Sequence, residues 1–544
     1  MQRFCMLAMA LGVCFPAWAQ LPSIKLHGIV NAASFASPGL PSGSIARGSI
    51  FTIFGGGLGP AKGVQVSAFP IQNTLSGVTI TVTQGATVLN ALPLYVRQDQ
   101  INALMPSGAP TGWVSVRVTY NNARSNPSPV YVVNDSVGVF TSTGTGLGPG
   151  AMNNFVTQSN QPANSLATSA KPGQVVTMYA TGLGPISAPD NLAPPSGSLQ
   201  TPVELWVGGV QASVSYSGRS PCCSGLDQVT FTVPDNAPQG CWVPVQVRTS
   251  HATLSNFVSM AIDPNGAPCS DPSQPLSAGI TKAGHLGLLT LARLDIHEDV
   301  GVNAPVDITN DVLTFSATNQ PGGPFVFQPF VSTPPLGTCT VYPAIGDFFA
   351  TANVSSVSPP ALDAGSQFTL AGPGGQMAAT LSGSATALGA YLPLYSFPNQ
   401  LYLSPGKYTI TSKGGADIPG FNASITVPGP LTWTSPPNTV DRSQPLALSW
   451  TGAPSGTPIM ILGVSSDLPT NSSAMFVCVT SAGANNFTVP AEVLSALPAS
   501  RANPLSSKAV IYLMSSNPGT FTAGGLNTAL TSGSYIAGKT VVFQ

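Results

Sequence analysis

The chain has 544 residues, of which 7% are charged and 43% hydrophobic, and its formal net charge is −1. Eighteen Lys and Arg scattered over that length form no cluster able to neutralise phosphates, which argues against nucleic acid as a partner. The hydrophobic fraction is too high for a disordered chain, so the 57 Gly and 53 Pro read as punctuation between many short strands.

Residues 1–19 read as a secretory signal. Arg3 supplies the positive start, Cys5 to Phe15 the apolar stretch, and Ala17-Trp18-Ala19 the small-x-small site, with cleavage expected after Ala19. A lipoprotein signal ending at Cys14 would need a small residue where Val13 stands. No later apolar run approaches the ~20 residues of a membrane-crossing helix. The expected location is therefore secreted, outside the cell or on its surface, with no transmembrane segment.

Two homologous blocks follow, at 20–135 and 136–265. The run Gly48 to Pro60, ending Gly57-Leu58-Gly59-Pro60, returns as Gly173 to Pro185, ending Gly182-Leu183-Gly184-Pro185. Asp99-Gln100-Ile101 with Pro106 and Gly112 returns as Asp227-Gln228-Val229 with Pro234 and Gly240. Two landmarks in one order at nearly one offset indicate a duplicated domain. Within each block, runs such as Val78 to Val82, Trp113 to Val118 and Trp242 to Val247 place apolar residues at every second position. This is the pattern of half-buried strands, and their spacing predicts an all-β fold of tandem immunoglobulin-like β-sandwiches.

The combination of Asn31-Ala32-Ala33-Ser34-Phe35, Gly48 to Pro60, Leu94-Tyr95-Val96, Asp99 to Asn102 and Lys171 to Pro185 resembles the uncharacterised Solibacter-type C-terminal domain family of secreted acidobacterial proteins. Each half is also similar to IPT/TIG immunoglobulin-like domains through Gly208-Gly209-Val210-Gln211-Ala212 and Val233-Pro234. The resemblance covers residues 28–265. It implies a module that binds or spaces, and carries over no activity.

Six cysteines remain after the signal: Cys222, Cys223, Cys241, Cys269, Cys339 and Cys478. An even number in an exported chain predicts disulfides. Cys222, Cys223, Cys241 and Cys269 are expected to form two bonds of open connectivity, and Cys339 and Cys478 either to pair or to stay free. Zinc is disfavoured because Cys222-Cys223 lacks the C-x2-C chelate spacing. The segment Asp263 to Pro272 reads as a linker.

A β-sandwich is expected over 276–430 and an immunoglobulin-like sandwich over 431–544, where Leu446 to Thr451 reads as a strand burying Trp450. Two short segments, Leu286 to Leu294 and Val493 to Leu497, have a helical look.

Chemistry is sparse. Gly55 to Gly59 runs into proline and strand and not into a helix N-terminus with a Lys, so it reads as a turn. The densest polar cluster is Asp295, His297, Glu298 and Asp299, with His285 upstream, and it does not match H-E-x-x-H. It is expected to face solvent or to split between faces. The tryptophans Trp113, Trp206, Trp242, Trp433 and Trp450 all lie in strand patterns and are expected to pack in cores. The residues assign no catalytic group, cofactor or metal. They predict a non-catalytic extracellular binding or spacer protein whose partner is a polysaccharide or another protein. The alternative is a polymer-acting hydrolase with its site in residues 276–430.

Overall fold

The structure, a computed structural model, describes residues 21–40, 42–249, 254–271, 283–298, 306–320, 322–329, 331–345, 362–387, 390–398, 401–500 and 507–544. The signal segment and Asp299 lie outside the described residues.

The first copy contains β1 (Ser23–Asn31), β2 (Ile50–Gly56), β3 (Val78–Gln84), β4 (Thr87–Val96), β5 (Gln100–Leu104), β6 (Gly112–Tyr120) and β7 (Ser128–Val133). The second contains β8 (Val175–Thr181), β9 (Val203–Val207), β10 (Val210–Arg219), β11 (Asp227–Thr232), β12 (Gly240–Thr249) and β13 (Val258–Ile262). Neighbours run β2-β5-β4-β3-β6-β7 in the first and β8-β11-β10-β9-β12-β13 in the second, which is one topology used twice. Register agrees residue by residue. Ile53 faces Ile101 as Met178 faces Val229, and Ile80 faces Val118 as Leu205 faces Val247. Each copy even has a β-bulge at the same place, with Leu94 the extra residue of β4 and Ser215 that of β10.

Both copies are sandwiches because alternation gives each strand one apolar face. Val114, Val116 and Val118 of β6 are buried with Ile80, Val82 and Ile53, while Ser115 and Arg117 face outward. In the second copy Val243, Val245 and Val247 join Leu205, Met178 and Phe231. Full burial of such side chains contributes about 1.5–3 kcal/mol each, which closes the two layers.

The copies are joined by buried polar contacts. Arg219, 1% exposed, pairs with Asp227 and donates from Nη2 to the carbonyls of Gly48 (2.6 Å) and Gly184 (2.7 Å). Asp227 in turn accepts the Leu183 N–H at 2.8 Å. Thr181 Oγ1 accepts the Ile50 N–H at 2.8 Å and donates to Gly225.

Beyond the linker, the sequence expectation of two separate blocks meets one continuous sheet. Its strands are β14 (Gly284–Glu298), β15 (Val306–Gln320), β16 (Thr338–Ile345), β17 (Gln367–Gly372), β18 (Gly375–Ala387), β19 (Ala390–Ser396), β20 (Gly406–Gly414), β21 (Pro419–Val427), β22 (Ile459–Asp467), β23 (Ser472–Val479), β24 (Ser507–Thr520) and β25 (Thr528–Thr540). The order is β16-β23-β22-β24-β25-β14-β15-β19-β18-β17-β20-β21. Hydrogen bonding therefore crosses residue 430 in both directions: β14 pairs in parallel with β25, and β16 pairs with β23. The sheet covers two cores, one around Phe315, Phe368, Tyr408 and Phe421, the other around Trp450, Ile461, Phe476 and Leu513.

Leu286 to Leu294 is strand, not helix, because β14 has hydrogen-bonded neighbours on both sides, and that context overrides local propensity. The helix expected near Val493 is present as Ala491–Ser495.

The disulfides are Cys222–Cys223, Cys241–Cys269 and Cys339–Cys478. The last joins directly opposed residues of β16 and β23, and so also bridges residue 430.

Candidate functional site

The polar cluster singled out in the sequence lies at the end of β14. His297 Nδ1 stands 2.5 Å from Asp307 Oδ1 on β15, an acid that the sequence reading had not placed there. Both side chains are open, at 46% and 76% exposure. Asp295 accepts the Tyr535 hydroxyl at 2.9 Å, and burial together with that bond pushes the phenol up to about 12. Glu298 ends the same strand. His285 bonds through Nδ1 to the Gly525 carbonyl at 2.7 Å. Twelve residues of strand at ~3.3 Å each put it about 40 Å from His297. Among the described residues no group of three or more His, Cys, Asp or Glu is placed to hold a metal. The arrangement is a solvent-open His–Asp pair, whereas general acid–base chemistry at a buried centre requires surroundings that exclude water.

The informative surface lies elsewhere, on the outer face of β6 and β7. Trp113 is 65% exposed and Tyr131 44% exposed, which corrects the expectation that Trp113 packs in a core. The cause is alternation: with Val114, Val116 and Val118 inward, Trp113 must point out, and so must Tyr131 between Val130 and Val132. The two residues are direct cross-strand partners, with ring centroids 5.3 Å apart and planes at 69°. Gln84 Nε2 donates to the carbonyls of Thr111 and Trp113, at 3.0 and 3.1 Å, and holds the start of β6 in place. Flanking them on the same face lie Thr81 and Thr83 of β3, Ser115 and Arg117 of β6 and Asn90 of β4. This face is largely hydroxylated, with a paired aromatic platform at one end and the exposed Val88 opposite Thr83. Arg117 is the one charged side chain among these residues.

The second copy shows what such a face does when it is covered. Trp242 is the counterpart of Trp113, and it is 2% exposed. It packs with Leu166, Leu286, Val326, Val331 and Leu530, so most of its cover comes from beyond the linker. Between Gly240 and Val243 the β12–β13 register slips by one residue relative to β6–β7, and the extra residue is Cys241, which bonds Cys269 and draws the linker across that face. Opposite the bulge stands Ala261, where the first copy has Tyr131. The other tryptophans divide: Trp450 is buried, Trp433 is partly buried against the same core, and Trp206 is half-buried under the Arg248 guanidinium, 4.9 Å from its ring centroid.

No protein-family model matches the chain, and no curated protein matches it. Among solved structures, Bacteroides ovatus mixed-linkage glucan utilization locus SGBP-B in complex with a mixed-linkage heptasaccharide is similar at 13% identity over 88% of this chain and 95% of that one, with TM-score 0.16. Surface layer protein SbsC, domains 1–6, is similar at 11% identity over 97% of this chain and 55% of that one, with TM-score 0.18. Domains A168–A170 of titin are similar at 11% identity over 70% of this chain and 96% of that one, with TM-score 0.12.

Proposed function

We propose that this is an extracellular, non-catalytic binding protein whose first sandwich lies flat against a neutral polysaccharide. The observation that carries the reading is the pair of equivalent tryptophans: Trp242 sits under later residues of its own chain, whereas Trp113 stands on the same face of the same fold with Tyr131 beside it and is 65% exposed. Large exposed aromatics on a sheet face mark an interaction surface. A protein partner is the less suited occupant, because the cover over Trp242 is largely Leu and Val side chains, while around Trp113 the hydroxyls and amide of Thr81, Thr83, Ser115 and Asn90 outnumber the apolar Val88 and Pro129. Hydroxyls and amides around an aromatic platform suit a ligand with apolar ring faces and hydroxylated edges. Three disulfides support a site in an oxidising compartment.

The test is co-sedimentation of the mature chain with insoluble neutral polysaccharides, comparing wild type with Trp113→Ala and Tyr131→Ala. Truncating a central aromatic anchor costs at least ~2 kcal/mol of binding, about thirtyfold in affinity. Equal retention of all three proteins would overturn the assignment.

A further inference from the structure

A second site lies at the seam between the two copies, on a different surface from Trp113. Here a cavity of about 370 Å³ is walled by Phe69, Tyr95 and Asn102 from the first copy and by Phe140 and the Cys222–Cys223 disulfide from the second. That volume falls within the ~300–1,000 Å³ of small-molecule sites, which favour domain interfaces. The β4 bulge precedes Tyr95, the usual way a strand re-aims a side chain.

The walls are tied together. The Ile71 N–H donates to the Asn191 carbonyl at 2.8 Å, and Ser224 Oγ donates to the carbonyls of Asp190 (3.1 Å) and Leu192 (3.3 Å). The Asp190 carboxylate accepts both Ser107 N–H and Ser107 Oγ at 2.7 Å. The segment 190–192 therefore straps the loop after Phe69 to the residue after the disulfide.

The lining mixes aliphatic side chains, Ile50, Val66, Ile71 and Leu94, with aromatic rings and a few polar groups. It contains no charged side chain. Asn102 Oδ1 is already engaged, by Thr52 Oγ1 at 3.0 Å and Gln100 Nε2 at 3.1 Å, which leaves its Nδ2 as the donor for a ligand. Gln65 and Ser67, exposed on the rim, add an amide and a hydroxyl. The disulfide closes no chain loop, since its cysteines are adjacent, so the loop-entropy argument assigns it no stapling role. What it does supply is a rigid, polarisable wall of two sulfurs that makes no demand for strong hydrogen bonds.

We infer that this cavity binds a neutral sugar unit of a soluble oligosaccharide, with ring faces against Phe69, Tyr95 and the disulfide and hydroxyls to Asn102, Ser67 and Gln65. A charged ligand would enter with no counter-charge, and a purely apolar one would leave the Asn102 Nδ2 donor unpaired. This inference does not rest on the Trp113 assignment, and the two fail separately: short oligosaccharides in solution report the seam, sedimentation with insoluble polysaccharide reports the Trp113 face.

The experiment is isothermal titration of the mature chain with neutral gluco-, manno- and galacto-oligosaccharides. We expect at least one series to bind, Asn102→Ala to weaken it about tenfold or more, and Cys222→Ser with Cys223→Ser to weaken it without lowering the unfolding temperature. Because Asn102 also accepts bonds within its sheet, Ser67→Ala on the exposed rim provides a second reading, with a loss of severalfold. No binding by any series, binding of anilinonaphthalene sulfonate alone, or oligosaccharide binding indifferent to both Asn102→Ala and Ser67→Ala would overturn the inference.

Discussion

Trp113 and Trp242 occupy the same position of the same fold, so truncating each to Ala separates what an aromatic side chain does on a covered face from what it does on an open one. Trp242 is 2% exposed among Leu166, Leu286, Val326, Val331 and Leu530. Removing a buried Trp costs the transfer energy of the ring plus the cavity it leaves, about 3–5 kcal/mol. Trp113 at 65% exposure keeps about a third of its surface out of water. For a side chain of roughly 200 Å² that is about 70 Å², worth at most ~2 kcal/mol at 25 cal/mol per Å². Trp242→Ala should therefore be the more destabilising by about 2 kcal/mol. Urea unfolding of the full chain measures the sum, and hydrogen exchange of the β6 and β12 amides assigns the loss to a copy. Equal losses in the two variants, or a larger loss in Trp113→Ala, would refute the claim that one face is covered and its twin open.

Other consequences follow from the bonds that hold the chain together. Loop entropy assigns about 5 kcal/mol to Cys339–Cys478, which spans 139 residues, and about 3.5 kcal/mol to Cys241–Cys269, which spans 28. Paired Ser substitutions should lower urea midpoints in that order, and the Cys222–Cys223 pair, which closes no loop, should leave the midpoint unchanged. Arg219→Ala leaves Asp227 buried without its partner and should cost about 3–5 kcal/mol by urea unfolding, while Arg219→Ala with Asp227→Asn should recover part of the loss. Asp363 accepts the N–H groups of Ala416 and Gly365, which hold its carboxyl below the ordinary 3.8. Because the folded value is the lower one, its contribution is present above 3.8 and is lost as pH falls through the folded value. Asp363→Asn should accordingly flatten the acid limb of a stability-versus-pH curve, as followed by urea midpoints.

The duplication was readable because its landmarks are backbone requirements. Gly57 and Gly182 both adopt positive φ, at 63° and 107°, and at Gly182 a Cβ would also meet the Ser136 carbonyl at 2.1 Å. The offset between the copies is 125 at Ile53 and Met178, 121 at Ala91 and Ala212, 128 at Ile101 and Val229, and 129 at Val118 and Val247, so residues were lost and gained in turns, and one was added at the Cys241 bulge, without disturbing register. Added loop length costs little. The orientation of Trp113 and Tyr131 was equally readable from the valines on either side. It was missed because a tryptophan within a β-prone run was assigned to a core by residue type and not by parity. The parallel pairing of Leu286 with Thr528 was beyond reach, since nothing in the periodicity of either strand names a partner 242 residues away. The same holds for the seam, where Tyr95 and Asn102 meet Cys222 and Cys223 only after both copies have folded.

The divergence of the two copies gives the duplication its functional logic. A face carrying an outward Trp is a liability in water unless something covers it, and in the second copy one inserted cysteine, one disulfide and the exchange of Tyr for Ala at position 261 accompany permanent cover by the C-terminal sheet. In the first copy none of these changes is present, and the platform is enlarged by Tyr131 and ringed with hydroxyls. Were Trp113 a remnant of a lost internal interface, the residues around it would be expected to keep the aliphatic character of the cover over Trp242. Thr81, Thr83, Ser115 and Asn90 are what a face in regular contact with a hydrated ligand would carry instead. The Arg219–Asp227 joint, through its bonds to the Gly48 and Gly184 carbonyls, ties the sandwich with the open Trp113 face to the sandwich with the covered one.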